Sequence, residues 1–217
     1  MTTEIPEPVY AEYFDGLLAG DRRRCAAILT ELLEGGLPVR TAYVALFQRS
    51  LYQVGVLWAT NQISVATEHI ATAITEGLLN LSFPYALGAK PVGRTVVATA
   101  VSPELHQVGA RIVADTFESS GWNSVFVGAD TTPPQALVGL VVDTNPTLLA
   151  LSLTMFFNVP SLERILVGVH ASLPQLKIIV GGQGLARLGR DLAARHEQVD
   201  YLTGLDELDA FIERWTD

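Results

Sequence analysis

Only one of the 217 residues is a cysteine, Cys25. A single thiol excludes an internal disulfide and any cysteine-based zinc or iron–sulfur centre, as expected of a reducing, cytoplasmic compartment. No apolar run approaches the roughly 20 residues that cross a bilayer. The opening Met1-Thr2-Thr3-Glu4-Ile5-Pro6 has neither the basic region nor the apolar core of a signal peptide. The expectation is a cytoplasmic protein with no membrane segment. Charge is scarce, at 17% of residues, and the balance is acidic, with a formal net charge of −9. Direct nucleic-acid binding would work against that field. The one basic run, Arg22-Arg23-Arg24, follows Asp21 in a predicted first helical turn and reads as a solvated face. No Gly-x-x-x-x-Gly-Lys-Ser/Thr loop is present. Gly182-Gln183-Gly184-Leu185-Ala186-Arg187 lacks the third glycine of a dinucleotide fingerprint and follows a fourth strand instead of opening a first βα turn.

What is abundant is apolar residues, 49% of the chain, arranged in two textures. From Pro8 to about Ala86 they recur at three and four, and the breaks fall on helix signals. The first helix runs from about Pro8 to Leu18 and closes at Gly20. A second starts after Asp21 as N-cap and stops at Gly35-Gly36. A third begins at Pro38 and carries Tyr43, Val44, Phe47, Leu51 and Val54 towards Trp58. Ser64 caps a fourth, which passes Glu68, His69 and Thr72 to about Leu81. Short connections make such helices antiparallel neighbours, so residues 1–87 are expected to form a four-helix bundle.

Gly and Pro cluster from Leu87 to Gly93, which marks a linker. Beyond it, apolar runs of strand length alternate with helical stretches. The expected strands are Thr95 to Val101, Ser124 to Val127, Leu148 to Leu153, Leu176 to Val180 and Val199 to Leu202. Helices are expected between and after them, the fourth from Leu185 to Arg195. Continuous apolar character means strands buried on both faces, hence a doubly wound parallel sheet over residues 93–217 with the order 2-1-3-4-5. Such a sheet binds ligands beyond the carboxyl ends of its strands, where the order reverses. Three loops bring chemistry there: Glu104, His106 and Gly109 after the first strand, Ser152 and Thr154 at the end of the third, and Gly181-Gly182 after the fourth. Singly, each reads as an ordinary turn or cap. Together they put ligand-compatible groups on one rim. The spacing of Glu104 and His106 suggests a carboxylate holding one imidazole nitrogen while the other meets a metal.

These residues resemble the cobalamin-binding fold, flavodoxin-like or Rossmann-like in topology. Glu104-x-His106-x-x-Gly109 is similar to the family's Asp-x-His-x-x-Gly signature, Ser152-x-Thr154 to its Ser-x-Leu/Thr element, and Gly181-Gly182 to its Gly-Gly element. The resemblance implies His106 as the lower cobalt ligand, with Glu104 behind it and Asn158 supporting that carboxylate in place of a hydroxyl. It also implies a slot for the cofactor's nucleotide tail beside Ser152 and the glycines. The bundle resembles the helical cap over the corrin. More narrowly, Trp58 followed by Glu68-His69 is similar to the Trp-x9-Glu-His motif of the CarH-type cobalamin photoreceptors. This implies adenosylcobalamin or methylcobalamin as chromophore and light sensing by loss of the upper ligand. The signal would pass to a partner protein, in a possible homo-oligomer. The histidine that many such photoreceptors carry after the tryptophan is Ala59 here, and no winged-helix DNA-binding domain is expected within these residues. The alternative is a corrinoid methyl-carrier subunit of a methyltransferase. A second chromophore such as a bilin would have to bind non-covalently, because no cysteine lies near the crevice.

Overall fold

The computed structural model describes residues 4–128 and 134–215. The chain divides into two compact units, Met1–Leu87 and Gly88–Asp217.

The first unit is helical. α1 (Glu7–Leu18) has Pro8 in its first turn, where the missing N–H costs nothing. α2 (Arg22–Glu34) is capped by the Asp21 carboxylate, which accepts from the Arg24 N–H at 3.0 Å. α3 covers residues 39–59, and α4 (Val65–Ala86) starts with the Ser64 hydroxyl accepting from the Thr67 N–H at 3.1 Å. Tyr13, Leu17, Cys25, Leu29, Tyr43, Leu46, Phe47 and Leu79 fill the space between these helices. Two details depart from the periodicity. Within α3 the stretch Ala42–Gln48 is π-helical, and the wider turn carries Ala42, Tyr43, Leu46 and Phe47 all into the core. α4 continues past Leu81 to Ala86 with Pro84 inside it, held by the burial of Ser82 and Ala86.

The second unit is a five-stranded, all-parallel sheet of order β2-β1-β3-β4-β5. Its strands are β1 (Thr95–Ala100), β2 (Asn123–Val127), β3 (Leu148–Ser152), β4 (Lys177–Gly181) and β5 (Val199–Tyr201). The helices α5 (Val108–Ser119), α6 (Pro134–Thr144), α7 (Val159–Ser172), α8 (Gly189–Ala194) and α9 (Leu205–Glu213) follow them. Alternate strand residues feed two apolar layers. Val97, Leu149, Ile178 and Val180 pack with Leu137, Val141, Leu162 and Ile165. Val96, Ala98, Leu148 and Ile179 pack with Phe117, Leu208, Phe211 and Ile212 on the other face. Both faces are covered, which is why the strands read as continuous apolar runs. The helix expected from Leu185 to Arg195 is instead a 3₁₀ turn, Gln183–Leu185, and the short α8. Gly184 and Gly189 lie where backbone or ring approaches too closely for a side chain, and glycine holds a helix poorly. The register sets Ala100 beside Ser152, and Ser152 beside Gly181. The loops leaving β1, β3 and β4 therefore share one rim.

Candidate functional site

The strand ends are laced together by backbone. Val101 N–H donates to the Ser152 carbonyl at 2.8 Å, Leu153 N–H to the Gly181 carbonyl at 2.9 Å, and Gly184 N–H to the Leu153 carbonyl at 3.0 Å. Gly182, at φ +104°, lies so close that a Cβ there would run into the Leu153 carbonyl. A Cβ on Gly184 would meet the Leu153 side chain and the Thr154 carbonyl. The β4 loop thus packs backbone against backbone on the β3 loop, which accounts for Gly182. Gly109, in the first turn of α5, faces the Ser152 hydroxyl, with 3.4 Å from a built Cβ to Oγ.

His106 lies in the β1–α5 loop, half-buried, two residues before α5 begins. Its Nδ1 is shielded from solvent and has no hydrogen-bond partner among the described residues. Here the structure corrects one expectation. The Glu104 carboxylate does not hold the imidazole; it reaches across to the β3 loop. Oε1 accepts from the Thr154 N–H at 2.8 Å, and Oε2 accepts from the Met155 N–H at 2.9 Å and the Asn158 side-chain amide at 3.1 Å. Glu104 carries one methylene more than aspartate, and its carboxylate ends on a pair of backbone donors in the β3 loop. Three hydrogen bonds offset the desolvation of the carboxylate of a residue that is only 6% exposed. Asn158, itself buried, does meet that carboxylate and also donates to the Pro103 carbonyl at 3.3 Å. Sequence reasoning missed Met155, Gly184 and the apolar rim on the joined loops, where Leu105, Phe156 and Phe157 are 72%, 61% and 67% exposed. The adjacent Phe156-Phe157 pair, directly after a strand end, was the available signal.

In the helical unit, Trp58 lies in the last turn of α3 and is 43% exposed. Glu68, in the first turn of α4, has its side chain largely covered, while His69 is open to solvent. His69 Nδ1 lies 2.6 Å from Glu68 Oε2, and the Thr72 hydroxyl donates to Glu68 Oε1 at 3.0 Å. The Glu68 carboxylate therefore fixes the ring of His69 and leaves its Nε2 outward.

Among the described residues no three His, Cys, Asp or Glu side chains gather to hold an ion. A half-buried imidazole whose Nδ1 has no partner among the described residues thus lies on a loop that also carries the exposed Leu105. A family model described as B12 binding domain matches residues 94–212, and a second B12 binding domain model matches residues 9–81. The chain belongs to the B12-binding domain family and is a cobalamin-binding protein. It is 28% identical over 123 residues to the HTH-type transcriptional repressor CarA of Myxococcus xanthus. That match covers 57% of this chain and 42% of the relative, so the chain matches less than half of the relative's length. The solved monomethylamine corrinoid protein of Methanosarcina barkeri shares the fold with a TM-score of 0.80 at 13% identity, over 93% of this chain and 95% of that one. The methanol:cobalamin methyltransferase complex MtaBC of the same organism matches with a TM-score of 0.52 at 15% identity, over 98% and 81%. No helix among the described residues is long and apolar enough to cross a membrane.

Proposed function

We propose that the protein is a cobalamin-dependent light sensor that signals to a partner protein, with His106 as the protein's ligand to cobalt. The observation that carries the sensing half is Trp58, a large apolar side chain left exposed at the end of α3, one turn of chain ahead of the Glu68–His69 pair. The sequence likeness to a transcriptional repressor supports a regulatory role over a purely catalytic one. When bound, an alkylcobalamin supplies a cobalt–carbon bond that visible light cleaves. The protein's own residues do the rest. His106 would hold the cobalt, Ser152 and Gly109 would border the nucleotide tail, and Leu105, Phe156 and Phe157 would offer apolar surface to the corrin ring. Trp58 would respond to the state of the bound cofactor through a contact made in the dark and lost in the light. Only contacts that differ between two states can shift the balance between them, and a bulky indole supplies one.

One observation favours a second reading, a corrinoid carrier for methyl transfer. Ala59 offers no ligand where many photoreceptors of the CarH type have a histidine, so no second imidazole from that position can trap a light state. One experiment separates the two. Protein loaded in the dark with adenosylcobalamin or methylcobalamin is followed by absorption and by hydrogen exchange across α1 to α4, before and after green light. A sensor changes exchange near Trp58 on illumination. Photolysis with no change in the helical unit would favour the carrier, and no uptake of either cobalamin would overturn both readings.

A further inference from the structure

The Glu104 carboxylate is committed to the wrong neighbour for a group meant to orient the histidine two residues away. Its three donors all come from the β3–α7 segment, and none comes from the β1 loop itself. Two of these donors, the N–H groups of Thr154 and Met155, directly follow Ser152 and Leu153. Leu153 is in turn bonded to Gly181 at the end of β4 and to Gly184 in the loop that follows. A single buried carboxylate therefore joins the histidine loop to the β3 loop, which Leu153 ties by backbone to the end of β4 and its loop. His106 Nδ1, meanwhile, is left without a partner among the described residues.

We infer that Glu104 is a positioning residue for the nucleotide-tail slot, acting as a clamp that holds the β1 and β3 loops in register, and that it does not tune the cobalt-bound histidine. The inference rests on the cobalamin reading and goes beyond it. It assigns to the acidic residue of the signature a task at the tail end of the ligand, and it follows from reach. The glutamate carboxylate ends on the paired backbone donors of Thr154 and Met155, and the amide of Asn158 supplies the third hydrogen bond. With the donors held, the slot is formed before the ligand arrives. Preorganisation of this kind lowers the ordering cost of binding for the part of the ligand that uses the slot, and for no other part.

Glu104→Gln tests this. A carboxamide keeps the shape but places one N–H₂ against two N–H donors, so at least one of Thr154 and Met155 loses its acceptor. In the ligand-free variant, amide exchange at Thr154 and Met155 should speed up. Binding is then measured with cobalamin and with cobinamide, which has the corrin ring but no nucleotide tail. The loss of a hydrogen bond to a charged group predicts cobalamin weakened by roughly tenfold to a hundredfold. Cobinamide should be nearly unaffected. The electron paramagnetic resonance splitting from the axial nitrogen of cobalt(II)-loaded protein should also be unchanged. Asn158→Ala, which leaves the carboxylate and both backbone donors in place, should move exchange and cobalamin affinity in the same direction by less. Equal weakening of both corrinoids, or an altered axial-nitrogen splitting, would return Glu104 to the histidine and overturn the inference. So would unaltered exchange at the two amides. If the wild type bound neither corrinoid, the cobalamin reading and the slot assignment would fall together, while the exchange result would still decide whether the clamp exists.

Discussion

His106→Ala separates a ligand from a structural histidine by its effect on the empty protein. A buried polar atom without a partner costs about 1–3 kcal/mol relative to one that is paired or solvated. His106 Nδ1 carries that cost among the described residues. Removing the half-buried ring forfeits apolar burial on the order of 1 kcal/mol. The two terms oppose, so the ligand-free variant should match the wild type or exceed it by up to about 2 kcal/mol. Urea unfolding of both proteins without cobalamin, followed by far-UV circular dichroism and near-UV fluorescence, measures the difference. The same variant, mixed with cobalamin, should show a base-off spectrum or take up none. A loss of stability above about 1 kcal/mol would show that the imidazole holds the loop through contacts of its own. The unspent nitrogen would then be no sign of a ligand. A wild-type spectrum in the variant would remove His106 as the axial donor even if stability behaved as expected.

Gly182→Ala strains a residue at φ +104° and drives a Cβ into the Leu153 carbonyl, with the Leu153 nitrogen only 2.9 Å away. Backbone strain of about 1 kcal/mol and two disturbed hydrogen bonds of about 1 kcal/mol each give a loss near 3 kcal/mol, read as a lower urea midpoint of the α/β unit. A midpoint unchanged within error would refute the close packing of the β4 loop on the β3 loop. Cys25 is fully buried beneath α1, and burial pushes its thiol up to about 11. It should therefore resist a thiol reagent at pH 8 in the folded protein and react at the rate of unfolding; fast labelling would show that the first unit opens locally. The sign for stability follows, because a raised thiol keeps the folded state favoured below its ordinary value near 9.0 and loses that advantage as pH rises towards 11.

The sheet was legible because its strands are buried on both faces: Val96, Val97 and Ala98 face opposite apolar layers in turn, so the sequence shows a run where a half-exposed strand would show alternation. The helix starts at Asp21 and Ser64 were legible for a local reason, since a capping side chain and the N–H it accepts lie three residues apart. The π-helical stretch from Ala42 to Gln48 was not, because apolar residues at three and four fit an α-helix equally well. Only the surrounding helices decide that Ala42, Tyr43, Leu46 and Phe47 all turn inward. Gly184 was dismissed with an incomplete nucleotide fingerprint, whereas its cause is the backbone of Thr154, thirty positions away in sequence and adjacent only after the sheet has formed.

The same distinction governs the site. Sequence spacing placed His106, Ser152 and Gly181 on one rim, because strand order and register turn positions along the chain into neighbours across the sheet. Spacing also set Glu104 beside His106, and there it misled, since two residues in a loop measure proximity of backbone and say nothing of where a long side chain ends. What decides the outcome is competition for acceptors. The N–H groups of Thr154 and Met155 follow a strand end that no ladder can satisfy further, and a buried backbone donor left unpaired is as costly as a lost hydrogen bond. One carboxylate within reach of both, with Asn158 to complete it, gains more there than from a single imidazole nitrogen. The histidine is then left with a buried Nδ1 that has no hydrogen-bond partner among the described residues.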